Sequence, residues 1–160
     1  MQVQVIYATD NGNTQNAATQ IASKLGATAT DIASASKSDL EGFDLLILGT
    51  PTYGFGDLQS DWEQQISLLK EVDLKGKKVA LFGLGDQASY NDTFVDGMGL
   101  LYDAVTELGA TVVGATSTEG YDFSQSHAVR DGKFVGLALD EDNQSDETEQ
   151  RIDAWVAQLA

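Results

Sequence analysis

The chain contains no cysteine, a single histidine and only 9 lysines and arginines in 160 residues. Without cysteine there is no disulfide, no thiolate nucleophile and no sulfur-ligated metal. His127 stands alone, so a multi-histidine metal site is excluded. Against the 9 basic residues stand 25 acidic ones, a formal charge of −16. That balance argues against nucleic acid and points to basic partners or a salt-rich setting. No basic segment with a long apolar run opens the chain, so neither signal peptide nor membrane span is expected. A soluble cytoplasmic protein is the resulting expectation.

What is present suits one folded domain spanning residues 1–160: hydrophobic content of 42% separates the chain from disordered acidic sequences. The apolar run Val3-Gln4-Val5-Ile6-Tyr7 reads as a first strand. Ala17, Ala18, Ile21, Ala22 and Leu25 recur at helical spacing over 13–25, and Gly26 is placed to stop that helix. Between the two lies Thr9-Asp10-Asn11-Gly12-Asn13-Thr14, which has hydroxyls, amides and one glycine but no cation. A turn opening onto a helix N-terminus offers backbone N–H groups and the helix dipole to an anion. It reads either as a phosphate cradle or as a polar loop capped by Asn13 or Thr14. The missing lysine argues against a nucleotide triphosphatase.

Leu45-Leu46-Ile47-Leu48 and Val79-Ala80-Leu81-Phe82 are fully apolar, as parallel strands covered on both faces are. Each runs into a loop, Thr50-Pro51-Thr52-Tyr53-Gly54-Phe55-Gly56-Asp57 and Leu84-Gly85-Asp86-Gln87-Ala88-Ser89-Tyr90-Asn91-Asp92. Residues 111–114 look like the start of a fifth strand and 134–139 like its continuation, with a polar insertion of about twenty residues between them. Asp146, with Glu149 three later, is placed to cap a last helix carrying Ile152, Val156 and Leu159. Alternating strands and helices predict an open parallel sheet with helices on both faces and a ligand outside the carboxyl ends of the strands. The loops 8–14, 50–57 and 84–92 then form one site.

With those loops in view, the sequence resembles the flavodoxins of the long-chain type. The resemblance rests on Leu58-Gln59-Ser60-Asp61-Trp62, Gly85-Asp86-Gln87, Gly120-Tyr121-Asp122-Phe123 and the run from Gly132 to Asp142. It implies a flavodoxin-like α/β fold, a five-stranded parallel sheet in order 2-1-3-4-5 with a long insertion in the fifth strand. It also implies non-covalent FMN and one-electron transfer at low potential, without substrate turnover. By position, it assigns Thr9, Asp10, Asn11, Gly12, Asn13 and Thr14 to the phosphate. Asn11 stands where the family usually carries threonine, and its amide still donates. Thr52 and Asp142 are implied at the ribityl chain and Asp86 at the pyrimidine edge of the ring. Tyr53 and Tyr90 are implied as the inner and outer faces of an aromatic sandwich. Pro51, Gly54, Phe55, Gly56, Leu84, Gly85 and Asn91 complete the loops, and Thr93 replaces an asparagine near the ring edge. The Gly54-Phe55 peptide matches one whose carbonyl turns to accept from flavin N5–H, a motion that glycine tolerates.

An acidic surrounding also bears on potential. One carboxylate ~8 Å from the ring, at an effective dielectric of ~20, costs roughly 2 kcal/mol on the second reduction step. For one electron that is on the order of 90 mV. Acidic side chains near the loops suit basic redox partners such as a reductase, a photosystem subunit or a nitrogenase-type acceptor, met by a monomer. The competing reading is an FMN-dependent NAD(P)H:quinone-type oxidoreductase, which needs a substrate pocket that two covering aromatics would close. A phospho-acceptor domain is rejected, because Asp10 lacks an acidic neighbour and Thr50-Pro51-Thr52 follows the third strand.

Overall fold

The computed structural model describes residues 2–9, 12–53 and 57–159. Of the expected site residues, Asp10, Asn11, Gly54, Phe55 and Gly56 lie outside them, as does the side chain of Tyr53.

Strand β1 (Val3–Tyr7) leads to helix α1 (Asn13–Leu25), then to the short strand β2 (Thr28–Asp31). Strand β3 (Leu45–Tyr53) pairs through its end with β4 (Asp57–Leu58) and is followed by α2 (Ser60–Glu71). Then come β5 (Lys78–Leu84) and α3 (Asp96–Glu107). The strands β2, β1, β3 and β5 lie side by side and parallel, in that order.

Alternation along the strands builds two cores. Ile6, Leu46, Leu48, Val79 and Leu81 point to one face and pack under Trp62, Leu69, Met98, Leu101 and Val105 of α2 and α3. Val5, Tyr7, Leu45, Ile47, Ala80 and Phe82 point to the other, under Ala17, Ile21, Ile152 and Trp155. Period-2 strands buried on both sides are why the sequence showed unbroken apolar runs. The last two of those residues belong to α4 (Thr148–Leu159), which packs beside α1.

The fifth strand position is split, as the sequence suggested. Strand β6 (Thr111–Val113) pairs with Lys78–Ala80, and β10 (Leu137–Leu139) pairs with Phe82–Leu84, both parallel. Between them the insertion forms its own antiparallel sheet, in which β7 (Thr116–Ser117) and β8 (Val129–Arg130) flank β9 (Lys133–Phe134). The insertion is anchored by rings: Phe94, from the loop before α3, packs against Tyr121, Phe123 and Phe134 at centroid distances of 5.8, 5.4 and 5.9 Å. Gly136 presses so close to the sheet that a Cβ there would sit 1.9 Å from the carbonyl oxygen of Leu81.

Helix α4 (Thr148–Leu159) closes the chain. Its start differs from the sequence expectation. Asp146 lies in a 3₁₀ turn, Ser145–Glu147, and Thr148 opens the helix with its hydroxyl donating to Glu141. Among the described residues no helix is long and apolar enough to cross a membrane.

Candidate functional site

The carboxyl ends of β1, β3 and β5 open into a cleft of about 150 Å³. It lies where strand order reverses around β1, the place where sheets of this kind bind ligands. Its wall draws on three predicted loops: Asn13 and Thr14 from the first, Pro51 and Thr52 from the second, Leu84, Gly85, Asp86 and Tyr90 from the third. Thr93 and Asp142 join them, so ten of the expected residues meet in one place. Glu141 lines the cleft as well and escaped the sequence reading. Its position inside the acidic run Asp140-Glu141-Asp142 was the available signal.

At the first loop, Gly12 adopts φ 91° and is the N-cap of α1. This left-handed conformation suits glycine and turns the chain sharply into the helix. The Thr9 hydroxyl accepts from Gly12 N at 3.0 Å, so Thr9 shapes the loop. Among the described residues no side chain caps α1, and its first turn holds no acidic residue. Asn13 and Thr14 are thus first-turn residues, not caps, and the positive end of the helix is directed at the cleft.

At the second loop, the Thr52 hydroxyl accepts from Gly97 N at 3.0 Å, which ties the end of β3 to the start of α3. Gly97 is required there, since a Cβ would lie 2.6 Å from the Pro51 carbonyl oxygen. The neighbouring Val95 is a buried β-branched residue at φ 49°. Strain of this kind persists only where packing over-determines it, and here it sits against Gly85 of the cleft wall.

The third loop and the segments beside it bring an aromatic ring, a hydroxyl and carboxylates to the cleft. Tyr90 is half exposed, at 50%, and is the large apolar side chain left uncovered among the described residues. The Thr93 hydroxyl is buried and has no hydrogen-bond partner among them. A buried orphan hydroxyl is costly unless a ligand completes it. Asp86 accepts from Ala88 N at 3.1 Å, Ser89 N at 2.9 Å and Asn143 Nδ2 at 2.8 Å, all on Oδ1. Burial pushes its carboxyl up, but the Ser89 and Asn143 donors outweigh that and hold it below the ordinary carboxylate range. Asp142 is shifted the other way, raised by burial and then by the charges of Asp86, Asp140 and Glu141. Asn91 faces out of the cleft: its carbonyl accepts from Ser124 N at 2.7 Å and Gln125 N at 3.0 Å of the insertion.

Fold and cleft together define a doubly wound α/β fold with a polar cleft, bordered by one exposed aromatic, at the carboxyl ends of its parallel strands. The flavodoxin family model matches residues 5–155. A flavodoxin of Nostoc sp. is 49% identical over 97% of this chain and 93% of its own length, and flavodoxin 1 of Salmonella typhimurium is 45% identical over 98% and 91%. The crystal structure of Fusobacterium nucleatum flavodoxin bound to flavin mononucleotide superposes with a TM-score of 0.92 at 36% identity, over 99% of this chain and 96% of that one. The chain belongs to the flavodoxin family. The sheet order, the split fifth strand and the meeting of the three loops agree with what the resemblance implied.

Proposed function

We propose that the chain is a one-electron carrier that holds FMN non-covalently in the cleft at the carboxyl ends of β1, β3 and β5. Bound FMN supplies the redox chemistry, taking up and returning electrons singly. The observation that carries the reading is Tyr90, an aromatic left half exposed beside a polar cleft in a member of this family. Covering a ring face would remove that apolar surface from water and offset the exposure.

The protein's own groups divide the task. The start of α1 with Thr9, Asp10, Asn11, Gly12, Asn13 and Thr14 takes the phosphate through N–H and hydroxyl donors. Thr52 and Asp142 hold the ribityl chain, and Asp86 accepts from the ring's pyrimidine edge. Tyr53 and Tyr90 cover the ring faces, while Pro51, Gly54, Phe55, Gly56, Leu84, Gly85 and Asn91 shape the loops around it. Thr93 has a buried hydroxyl to offer a ring-edge atom. Asp86, Glu141 and Asp142 line the cleft and disfavour added negative charge on the ring, which lowers the second reduction potential.

The same acidity suits a monomer in the cytoplasm exchanging electrons with basic partners, a reductase on one side and a photosystem or other acceptor on the other. Steering of this kind raises encounter rates and fades with salt.

Purification tests the assignment. A yellow protein that releases FMN on acid treatment, rebinds it one to one and loses affinity at least tenfold in Tyr90→Ala is expected. A colourless chain that does not take up FMN refutes it. Steady NAD(P)H oxidation by the chain alone would replace the carrier with an oxidoreductase.

A further inference from the structure

Asp140 is fully buried, yet its carboxylate is saturated with donors. Oδ2 accepts from Gln87 N at 3.0 Å, Gln87 Nε2 at 2.8 Å and Asn143 Nδ2 at 2.9 Å. Oδ1 accepts from the backbone N–H groups of Asp142 and Asn143 at 3.2 and 3.0 Å. Gln87 extends the net by donating to Gln144 Oε1 at 2.9 Å and accepting from Asp122 N at 2.5 Å. The result is a polar hub behind the cleft wall, joining the third loop, the insertion and the segment after β10.

One connection from this hub reaches the cleft side chains. The Asn143 amide gives one proton to Asp140 Oδ2 and the other to Asp86 Oδ1, at 2.9 and 2.8 Å. An amide NH₂ has two protons and both are used, so the two carboxylates are held at a fixed separation and angle. Asn143 itself is exposed and does not line the cleft.

We propose that Asn143 is a positioning residue for the flavin: it fixes the direction in which Asp86 presents its carboxylate to the ring, using buried Asp140 as the mount. The proposal rests on the FMN reading above. Three donors converge on Asp86 Oδ1, two from its own loop and one from Asn143, which leaves Oδ2 outside this set. Among the described residues only the Asn143 bond comes from outside the loop. It therefore sets the loop's carboxylate against a rigid part of the fold, where the backbone donors cannot. The hub explains why the amide itself is held still, because its other proton is committed to a group that cannot turn. The charged groups facing Asp86 from the packed segment are Asp140 and Asp142, with Glu141 in the same cleft. All are acidic, and the Asn143 amide is the neutral group that bridges Asp86 and Asp140.

The test is Asn143→Leu, which keeps the size and removes both donors at an exposed position. FMN affinity at neutral pH should fall about fivefold to tenfold, the scale of one net hydrogen bond. The acid limb of the affinity profile should move to higher pH, because Asp86 loses a donor that holds its carboxyl low. Carbon NMR titration of Asp86 in the FMN-free protein should show the same upward movement with no flavin present. In an Asp86→Asn background, Asn143→Leu should add nothing. Unchanged affinity with an unchanged Asp86 titration overturns the proposal, as does a full additive effect in the Asp86→Asn background. Failure of the parent chain to bind FMN would instead remove the underlying reading, while the NMR titration would still report on the Asn143 bridge.

Discussion

Alkaline pH should weaken this protein through Tyr121. Tyr121 lies in the insertion with its hydroxyl donating to the Ala138 carbonyl of β10 at 2.6 Å. Its ring meets Phe134 at a centroid distance of 4.9 Å and carries the Arg151 guanidinium 4.0 Å above it. Burial pushes the phenol up to about 12; Arg151 opposes this, while Asp140 and Glu147 add to it. In the unfolded chain the phenol ionises near 10. The folded state thus favours the neutral form, and the stabilisation is complete below about pH 10 and lost as pH rises towards about 12. A shift of two units at about 1.4 kcal/mol each gives about 2.7 kcal/mol, a substantial share of the stability of a domain this size. The assay is urea unfolding at a series of pH values between about 9 and 12, on the parent and on Tyr121→Phe. The variant should be weaker by about 1 kcal/mol at neutral pH, through the lost hydrogen bond. Above about pH 10 its curve should fall less steeply, so that the two meet at about pH 11 and then cross. Other tyrosines, Tyr7 with its raised phenol among them, titrate equally in both proteins and cancel. Parallel curves across the whole range would refute the reasoning.

Two further outcomes follow from the cleft. Gly97→Ala places a methyl 2.6 Å from the Pro51 carbonyl oxygen and 3.3 Å from the Thr52 hydroxyl. It should cost about 1–3 kcal/mol of stability and weaken FMN by forcing α3 from β3; an unaltered melting curve would show the approach to be looser. Asp142→Asn removes a carboxyl raised by burial and by Asp86, Asp140 and Glu141. A raised carboxyl favours the fold below its unfolded range and opposes it once ionised, so the variant should be slightly more stable at pH 7, by about a few tenths of a kcal/mol after solvent screening. Its second FMN reduction potential should rise; a destabilised variant with an unchanged potential would contradict both arguments.

The strands were legible because each is buried on both faces and so spelled out as an apolar run, and α1 because its stripe ends at Gly26. The split fifth strand was legible from the same hydrophobicity, interrupted. What the sequence concealed depends on contacts across the chain. Gly12, and not Asn13 or Thr14, is the N-cap, a matter of backbone angle that composition does not encode. Asn91 sits between two site residues in sequence but is turned outward by Ser124 and Gln125, over thirty positions away. The hub at Asp140 was invisible for the same reason: Gln87 and Asp140 are 53 positions apart, and each alone reads as an ordinary polar loop residue. His127, the single histidine, is exposed, with Asp103 2.6 Å from its Nε2 and Arg130 3.1 Å, an ion cluster that spacing in the sequence does not show.

The gap in the fifth strand has a topological consequence. Val113 pairs with Ala80 and Leu137 with Phe82, so only Leu81 stands opposite the break, and Gly136 presses into that place. The chain departs from a strand and re-enters it one step further on, like a detour that leaves a road and rejoins it at the next junction. Such a detour can lengthen, shorten or change its outer surface without shifting the register of any neighbouring strand, and the entropic cost of added length grows only logarithmically. Its inner side is committed to Gln87, Asn91 and Phe94. Its outer side is therefore the part of this architecture that can change with least effect on the sheet and on the loops around the cleft.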